Sequence, residues 1–131
     1  MSREIKFKGK RIDNGEWVYG CLVKDPQGKS RIYWKPFDKA TSNTYHFVIL
    51  ESVGQFTGLK DKNGVDGYEG DKVILQYGRH HTAPNGKVRE GIIKFDKKLA
   101  AFVIAIINSK VIIPFSIVID FQVIGNIHEN K

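Results

Sequence analysis

The sequence contains very little cysteine, no long apolar run and no sustained helical periodicity. Cys21 is the single cysteine among 131 residues, so no intrachain disulfide can form, as is usual in a reducing compartment. The longest apolar run, Leu99–Ile107, has nine residues, whereas a membrane-spanning helix needs about 20. The first residues, MSREIKFKGKR, lack the apolar stretch of a signal peptide. We therefore expect a cytoplasmic protein with no membrane partner.

Sequence motifs of catalysis and of metal binding are also missing. Gly28-Lys29-Ser30 ends like a phosphate-binding loop, but Val23 stands where that motif requires a glycine. His80 and His81 are adjacent, and no second pair of ligands has a spacing suited to zinc. There is no nucleophile elbow, zinc-protease motif or dinucleotide fingerprint. We expect no enzyme, no catalytic residue, no cofactor and no metal.

The composition is that of a small globular protein with a basic excess. Hydrophobic residues make up 41% of the chain, and the formal net charge is +7. Residues 1–50 hold 10 basic and 5 acidic side chains, and residues 51–131 hold 11 and 9. Such an excess can attract nucleic acid. The basic residues are dispersed among acids, however, which favours solubility as their role.

Turn signals alternate with β-prone segments along the chain. Asn-Gly pairs at 14–15, 63–64 and 85–86 predict two-residue hairpin turns with positive φ at both positions, and Asp25-Pro26-Gln27-Gly28 predicts another turn. The segments between them are rich in β-branched and aromatic residues. The predicted strands are Glu4–Lys8, Glu16–Val23, Arg31–Trp34, Tyr45–Leu50, Lys72–Tyr77, Val88–Phe95, Ala100–Ile107, Val111–Ile113 and Phe121–Ile127. The fold class is thus predicted as mainly antiparallel β with little helix, with Ala100–Ile107 buried on both faces.

A change in charge balance near residue 52 suggests two parts. We predict an N-terminal β region over residues 1–52 and a second region over 53–131, which together could form one compact unit. The last five predicted strands are enough for a small SH3-like β-barrel. In that arrangement Pro114–Asp120 forms a short turn before the last strand, and Gly125 marks a β-bulge.

Aromatic and basic residues are interleaved in the N-terminal part, and they form the candidate binding surface. The set is Trp17, Tyr19, Arg31, Tyr33, Trp34 and Lys35. Aromatic rings can stack on bases while cations neutralise phosphates. The same residues can also fill a small β-core with their charged ends at its rim. We interpret Cys21, on the same predicted strand as Trp17, as a small core residue.

The stretch Thr57–Val73, TGLKDKNGVDGYEGDKV, holds four glycines and leads into an alternating strand. Its glycines stand beside Asn and Asp, which indicates an ordered connector with two turns. The first turn is formed by Asn63 and Gly64, and the second by Glu69, Gly70 and Asp71. We predict that Gly58, Gly67 and Gly70 adopt conformations that strain other residues. We predict also that the Asp71 carboxylate bonds only nearby turn amides.

Three blocks of this sequence resemble the YopX family, small proteins of bacteriophages and prophages. The most specific block is VGQFTGLKDKNGVDGYEGDKV (Val53–Val73), which departs from the family pattern where Gly67 precedes Tyr68. The flanking blocks are Arg3–Val23 and Val123–Asn130. The resemblance implies a phage-borne, mainly β protein with an SH3-like barrel, and it implies no activity. We therefore expect a non-enzymatic accessory protein whose partner is another protein of unknown identity. The alternative is a nucleic-acid-binding module, and homo-oligomerisation stays open.

Overall fold

The computed structural model describes residues 4–34, 45–77 and 88–129, and it confirms a mainly antiparallel β protein. Strands make up 60% of these residues. The helical elements among them are two 3₁₀ turns, Leu50–Ser52 and Phe115–Ile117. The chain divides into two compact units, Met1–Phe56 and Thr57–Lys131.

The N-terminal unit is one antiparallel sheet with the strand order β4-β3-β2-β1-β5. Its strands are β1 (Phe7–Lys10), β2 (Trp17–Lys24), β3 (Ser30–Tyr33), β4 (Tyr45–Val48) and the beginning of β5 (Gly54–Lys60). The turn predicted at Asp25–Gly28 joins β2 to β3, where the Gly28 amide donates to the Asp25 carbonyl at 2.9 Å. Consecutive strands therefore pair as hairpins from β1 to β4.

The end of β1 continues into a segment that bonds to β4, the edge strand of this order. Arg11 forms an antiparallel bridge with Val48, and the Ile12 amide donates to the Phe47 carbonyl at 3.1 Å. Val48 and Ile32 are fully or almost fully buried and form the centre of this unit. Segments that are far apart in sequence thus lie on both sides of β4.

The C-terminal unit contains a five-stranded antiparallel sheet with the order β10-β9-β8-β7-β11. Its strands are β7 (Asp71–Tyr77), β8 (Val88–Asp96), β9 (Ala101–Ile106), β10 (Ile112–Pro114) and β11 (Val118–Asn126). The Phe115–Ile117 3₁₀ turn occupies the predicted corner before the last strand. The register shift between Val123 and Gly125 agrees with the bulge predicted at Gly125.

A closed SH3-like barrel is not confirmed for this unit. Within the described residues the sheet is open, with β10 and β11 as its two edges. Pro114 lies in β10, where a residue without a backbone N–H is tolerated because the strand is at the edge. The sheet has the five strands that the predicted barrel requires. The difference from the prediction is that no pairing between its two edge strands closes the barrel.

The core of the C-terminal unit lies on one face of this sheet. It consists of buried residues from five strands, namely Val73, Leu75, Ile93, Ile104, Ile106, Ile113 and Phe121. Val103 and Ile104 are neighbours on β9, and both are almost fully buried. Adjacent residues of a strand point to opposite faces, so β9 is buried on both faces, as predicted from its continuous apolar run.

The Asn-Gly turns are real turns, but they are not of the predicted type. Gly15 and Gly64 have positive φ, of 74° and 83°, whereas Asn14 and Asn63 do not. A type I′ turn needs positive φ at both central residues. Side chains before the glycines supply the hydrogen bonds instead: Asn14 Oδ1 accepts from the Glu16 amide at 2.9 Å. The third pair, at 85–86, lies outside the described residues.

The stretch interpreted as a connector is a β-hairpin, whose turn at 63–64 was predicted but whose two strands were not. The later part of β5 is followed by the turn at Asn63 and Gly64 and by the strand β6 (Asp66–Tyr68), which is the neighbour of β5. Gly67 does not have positive φ, contrary to the prediction. A Cβ at this position would lie 3.3 Å from Cε2 of Phe121, so the glycine makes room for a core ring. The departure from the family pattern at Gly67 therefore leaves the strand β6 intact.

The Glu69-Gly70-Asp71 turn is tied to a distant strand, which corrects the local role predicted for Asp71. Gly70 has φ of 94°, as its structural interpretation required. Asp71 is fully buried; its carboxylate accepts from the Tyr68 amide at 2.8 Å and from Asn126 Nδ2 at 2.9 Å. Asn126 ends β11, so one carboxylate fixes the turn and joins it to the last strand.

A second carboxylate, that of Asp61, connects the other turn to the same strand. Asp61 is 6% exposed, and its Oδ2 accepts from the Val123 amide at 2.9 Å. Its Oδ1 accepts from the amides of Asn63 and Val65 at 2.8 and 2.9 Å. Burial opposes ionisation of this carboxyl, but the three backbone donors outweigh burial and lower the pKa of Asp61.

The lowered pKa of Asp61 predicts acid-sensitive stability. Its contribution is present above the unfolded-state pKa of about 3.9 and is lost as the pH falls through the lower folded-state pKa. Between about pH 6 and about pH 3 we expect the stability of the wild type to fall more steeply than that of Asp61→Asn. Urea unfolding of both proteins at the two pH values measures this. Equal losses in the two proteins would contradict the assignment.

Candidate functional site

Arg31 is the centre of a cluster of aromatic and charged side chains on β3 and β4. Its guanidinium carbon lies 5.1 Å from the ring centroid of Tyr45 and 5.3 Å from that of Phe47. The pairing Arg31↔Phe47 and Tyr33↔Tyr45 places these four residues side by side, because cross-strand partners share one face of a sheet. The Tyr33 and Tyr45 ring centroids are 5.1 Å apart.

The charge of Arg31 is already matched inside this cluster. Arg31 Nη1 donates to the Tyr33 hydroxyl at 3.4 Å, and Nη2 donates to Asp25 Oδ2 at 3.3 Å. These bonds raise the pKa of Arg31. The pKa of Asp25 is lowered, first by the bond from the Lys29 amide and, against the opposing effect of burial, also by Arg31. Arg31 is therefore held by protein groups and not presented as a free cation.

Two further residues of the predicted surface, Trp17 and Tyr19, lie in a second cluster on β2. They pair with Lys10 and Lys8 of β1, and the Lys8 ammonium lies 4.7 Å from the centroid of the Trp17 ring. Both lysines are largely buried, whereas Tyr19 is half exposed. The cations of this cluster, like Arg31, lie among protein atoms.

The other predicted surface residues are Trp34 and Lys35, and Cys21 was predicted as a core residue nearby. Trp34 follows β3 and is 46% exposed, and Lys35 lies outside the described residues. Cys21 is exposed, so its interpretation as a core residue is wrong. Its neighbours Leu22 and Val23 are both half-buried, and periodicity gave no means of choosing the inner face of an aromatic-rich strand.

Beside β4 runs a groove with a volume of about 840 Å³, which we call the β4 groove. Its apolar lining comes mainly from Ile12, Tyr45, Phe47, Ile49 and Leu50, and its polar lining includes Arg11, Asp13, Lys29, Ser30 and Glu51. Ile12, Phe47, Ile49 and Leu50 are all large apolar side chains exposed by 38 to 64%. A cluster of exposed apolar side chains in a concave site is typical of a binding surface.

Ser52 fixes the backbone of the groove. Its hydroxyl accepts from the Lys10 amide at 2.8 Å and donates to the Ile49 carbonyl at 2.6 Å. The Ile49 amide also donates to the Lys10 carbonyl at 2.9 Å. These bonds hold the end of β1 against the 3₁₀ turn after β4.

The charges along the groove are mostly paired. Arg11 and Asp13 form two hydrogen bonds, of 2.9 and 2.6 Å, which raise the pKa of Arg11 and lower that of Asp13. The Lys29 ammonium lies 5.8 Å from the centroid of the Phe47 ring. Its side chain is exposed and forms no ion pair with the described residues. Glu51 is likewise exposed and forms no ion pair with the described residues. The groove thus combines apolar walls with an exposed cation and an exposed anion.

The sequence analysis missed most of the groove residues. Tyr45 and Phe47 stand two residues apart on a predicted strand, which is a usable signal because such residues share a face. Ile12 and Ile49 gave no such signal, since their proximity depends on the bond between the end of β1 and β4.

The comparisons with known proteins place this chain in a family. The YopX protein model matches residues 6–131. The chain belongs to the YopX family. A solved structure, protein EF1440 from Enterococcus faecalis, is similar in fold with a TM-score of 0.56 over 98% of this chain and 96% of that chain. The sequence identity is 22%, so this likeness shows the fold alone, and no curated protein matches significantly.

No group of three or more His, Cys, Asp or Glu side chains within the described residues is placed to hold a metal ion. No helix in the described segments is long and apolar enough to cross a membrane. We take the β4 groove as the candidate functional site of this YopX protein because exposed apolar side chains line it.

Proposed function

We propose that this YopX protein is a non-enzymatic accessory protein of a phage or prophage and that it binds another protein through the β4 groove. The observation that carries the proposal is the exposure of Ile12, Phe47, Ile49 and Leu50 along one groove. Burying such side chains against a partner gives about 25 cal/mol per Å² of apolar area. The groove therefore gains most binding free energy from an apolar partner surface.

The fold supports a binding role without specifying the partner. We propose that residues 53–131 form an SH3-like unit. The support is the order of its elements, in which a 3₁₀ turn comes immediately before the last strand. Folds of this kind are reused for many partners, so the fold alone carries little functional information.

A nucleic-acid-binding module is the second candidate. The arrangement of Arg31 over Tyr45 and Phe47 favours it, since aromatic rings and cations together bind single strands. Against it, Arg31 is bonded to Asp25 and Tyr33, and Lys8 and Lys10 are largely buried. A nucleic-acid complex would weaken steeply with salt, whereas an apolar protein complex would not.

Capture from a prophage-carrying bacterial lysate tests the proposal. The double variant Ile12→Ser/Ile49→Ser is expected to retain less than about a tenth of the partner retained by the wild type, because two apolar contacts are lost. Quantitative mass spectrometry of the captured proteins measures the ratio. Leu99→Ser, which changes an equally exposed apolar residue of the C-terminal unit, is the matched control and should retain the partner fully.

The opposite result would contradict the proposed site. If the double variant and the wild type capture the same proteins in the same amounts, the β4 groove does not bind them. Capture of nucleic acid alone, abolished at high salt, would favour the second candidate.

A further inference from the structure

The β4 groove carries no net charge, although the chain as a whole is strongly basic. Its lining, within the described residues, contains the cations Arg11 and Lys29 and the anions Asp13 and Glu51. The formal net charge of the whole chain is +7, with histidine counted as neutral. Like charges repel, so two copies of this chain meet with least repulsion through a neutral surface. The groove is such a surface, and it also exposes apolar side chains.

The exposed cation and the exposed anion of the groove lie on opposite sides of β4. Lys29 immediately precedes β3, which pairs with β4 along one side. Glu51 belongs to the 3₁₀ turn after β4, and Ser52 of this turn is bonded to the end of β1, on the other side. Neither Lys29 nor Glu51 forms an ion pair with the described residues. Both charges are therefore open to a partner.

This arrangement is complementary to itself. In a symmetric dimer the same patch of both copies meets across a two-fold axis, so a residue on one side of the patch faces a residue from its other side. With the axis along β4, Lys29 of each copy faces Glu51 of the other. One cation and one anion on each chain thus give two ion pairs, and the apolar side chains between the chains leave water.

We propose that the β4 groove associates with a second copy of this chain when no other protein occupies it. Lys29 of each copy pairs with Glu51 of the other, and the exposed Ile12, Phe47 and Ile49 of the two copies pack together. The self-association goes beyond the proposed function and does not depend on it. One consequence does rest on the proposed function: a partner protein has to displace the second copy to reach the groove.

Sedimentation equilibrium of the purified full chain tests the inference. The average mass of the wild type should rise from that of one chain toward that of two between about 1 and about 300 µM, the range of weak specific complexes. Lys29→Glu and Glu51→Lys each replace two ion pairs by two contacts between like charges. Each variant should therefore associate at least about tenfold more weakly than the wild type.

An equimolar mixture of these two variants is the most specific measurement. Lys29→Glu presents two anions and Glu51→Lys presents two cations, so a mixed dimer regains both ion pairs. We expect the mixture to associate about as tightly as the wild type, which would also show that both variants are folded.

Net charge alone predicts a different result for Lys29→Glu. This substitution lowers the formal net charge of each chain from +7 to +5, which by itself would favour association. Lys110→Glu makes the same change at an exposed lysine of the C-terminal unit. It is the matched control, and it should associate no more weakly than the wild type.

The outcomes distinguish this inference from the proposed function. A wild-type chain that stays monomeric at every concentration would overturn the self-association, while capture of a different protein through the groove would still support the proposed function. Self-association that survives Lys29→Glu or Ile12→Ser/Ile49→Ser, or a mixture that does not associate, would also overturn it. Self-association through the groove without capture of any other protein would support this inference and contradict the proposed function.

Discussion

Replacement of Asp71 by alanine is expected to lower the free energy of unfolding by about 3 kcal/mol, because it leaves buried donors without an acceptor. The carboxylate is fully buried and accepts from the Tyr68 amide and from Asn126 Nδ2. The expected loss of stability exceeds that for a residue that bonds only within its own turn. The Asp71 carboxylate also bonds to Asn126, which lies 55 positions away in the chain. Urea unfolding followed by far-UV circular dichroism, which reports on the strands of both units, measures it.

Glu90→Ala is the matched control for Asp71→Ala. Glu90 is an exposed carboxylate on a strand of the same unit, and its removal should change stability by no more than about 0.5 kcal/mol. A loss of less than about 1 kcal/mol in Asp71→Ala would mean that water replaces the carboxylate. The hydrogen bond between this turn and β11 would then contribute little to the free energy of unfolding.

The Gly70→Val substitution is expected to destabilise by about 2–4 kcal/mol through backbone strain and crowding. Gly70 has φ of 94°, and a Cβ there would lie 3.3 Å from Asn126 Nδ2. Its amide donates to the Ile93 carbonyl at 2.8 Å, and its carbonyl accepts from the Ile127 amide at 3.0 Å. The backbone therefore cannot shift without breaking two bonds. The same unfolding measurement applies.

Gly64→Val separates strain from crowding. Gly64 also has positive φ, but a Cβ there would have no neighbour within 4 Å. It should cost only the strain of a β-branched residue, about 1–2 kcal/mol. Equal losses in the two valine variants would show that the contact with Asn126 is unimportant. No loss in Gly70→Val would contradict the structural role of the glycine.

These residues also explain why the YopX sequence blocks recur together in this chain. Asp61 and Asp71 of the central block bond to Val123 and Asn126 of the closing block. Phe56 of the central block donates its amide to the Lys6 carbonyl of the opening block at 2.8 Å. The three blocks that resemble the family are therefore joined by hydrogen bonds of the fold.

Local patterns were sufficient to predict most strands, but not the bonds between distant segments. The apolar run at β9 and the turn at Asp25 are decided by neighbouring residues, and both were predicted. The strands β5 and β6 were missed, although the turn between them was predicted, because Gly58, Gly67 and many charged residues lower the strand signal there. The stability of this hairpin comes from partners such as Val123 and Phe121, which no local pattern reveals.

The candidate site was less predictable for the same reason. Arg31 and Tyr33 were identified, because alternation on one strand places them together. Their contacts with Tyr45 and Phe47 depend on the register between β3 and β4. The groove itself requires the bridge between Arg11 and Val48. Periodicity determines which residues can share a face, whereas pairing determines which faces meet.

Site-specific photo-crosslinking in prophage-carrying cells tests most directly whether the β4 groove binds a partner protein. A benzophenone amino acid replaces Phe47 of the groove or, as the matched control, Phe95 of the C-terminal unit, which is similarly exposed. We predict that position 47 forms covalent adducts with one partner protein after irradiation and that position 95 does not. Adducts from position 95 alone, identical adducts from both positions, or none from position 47 would contradict the account.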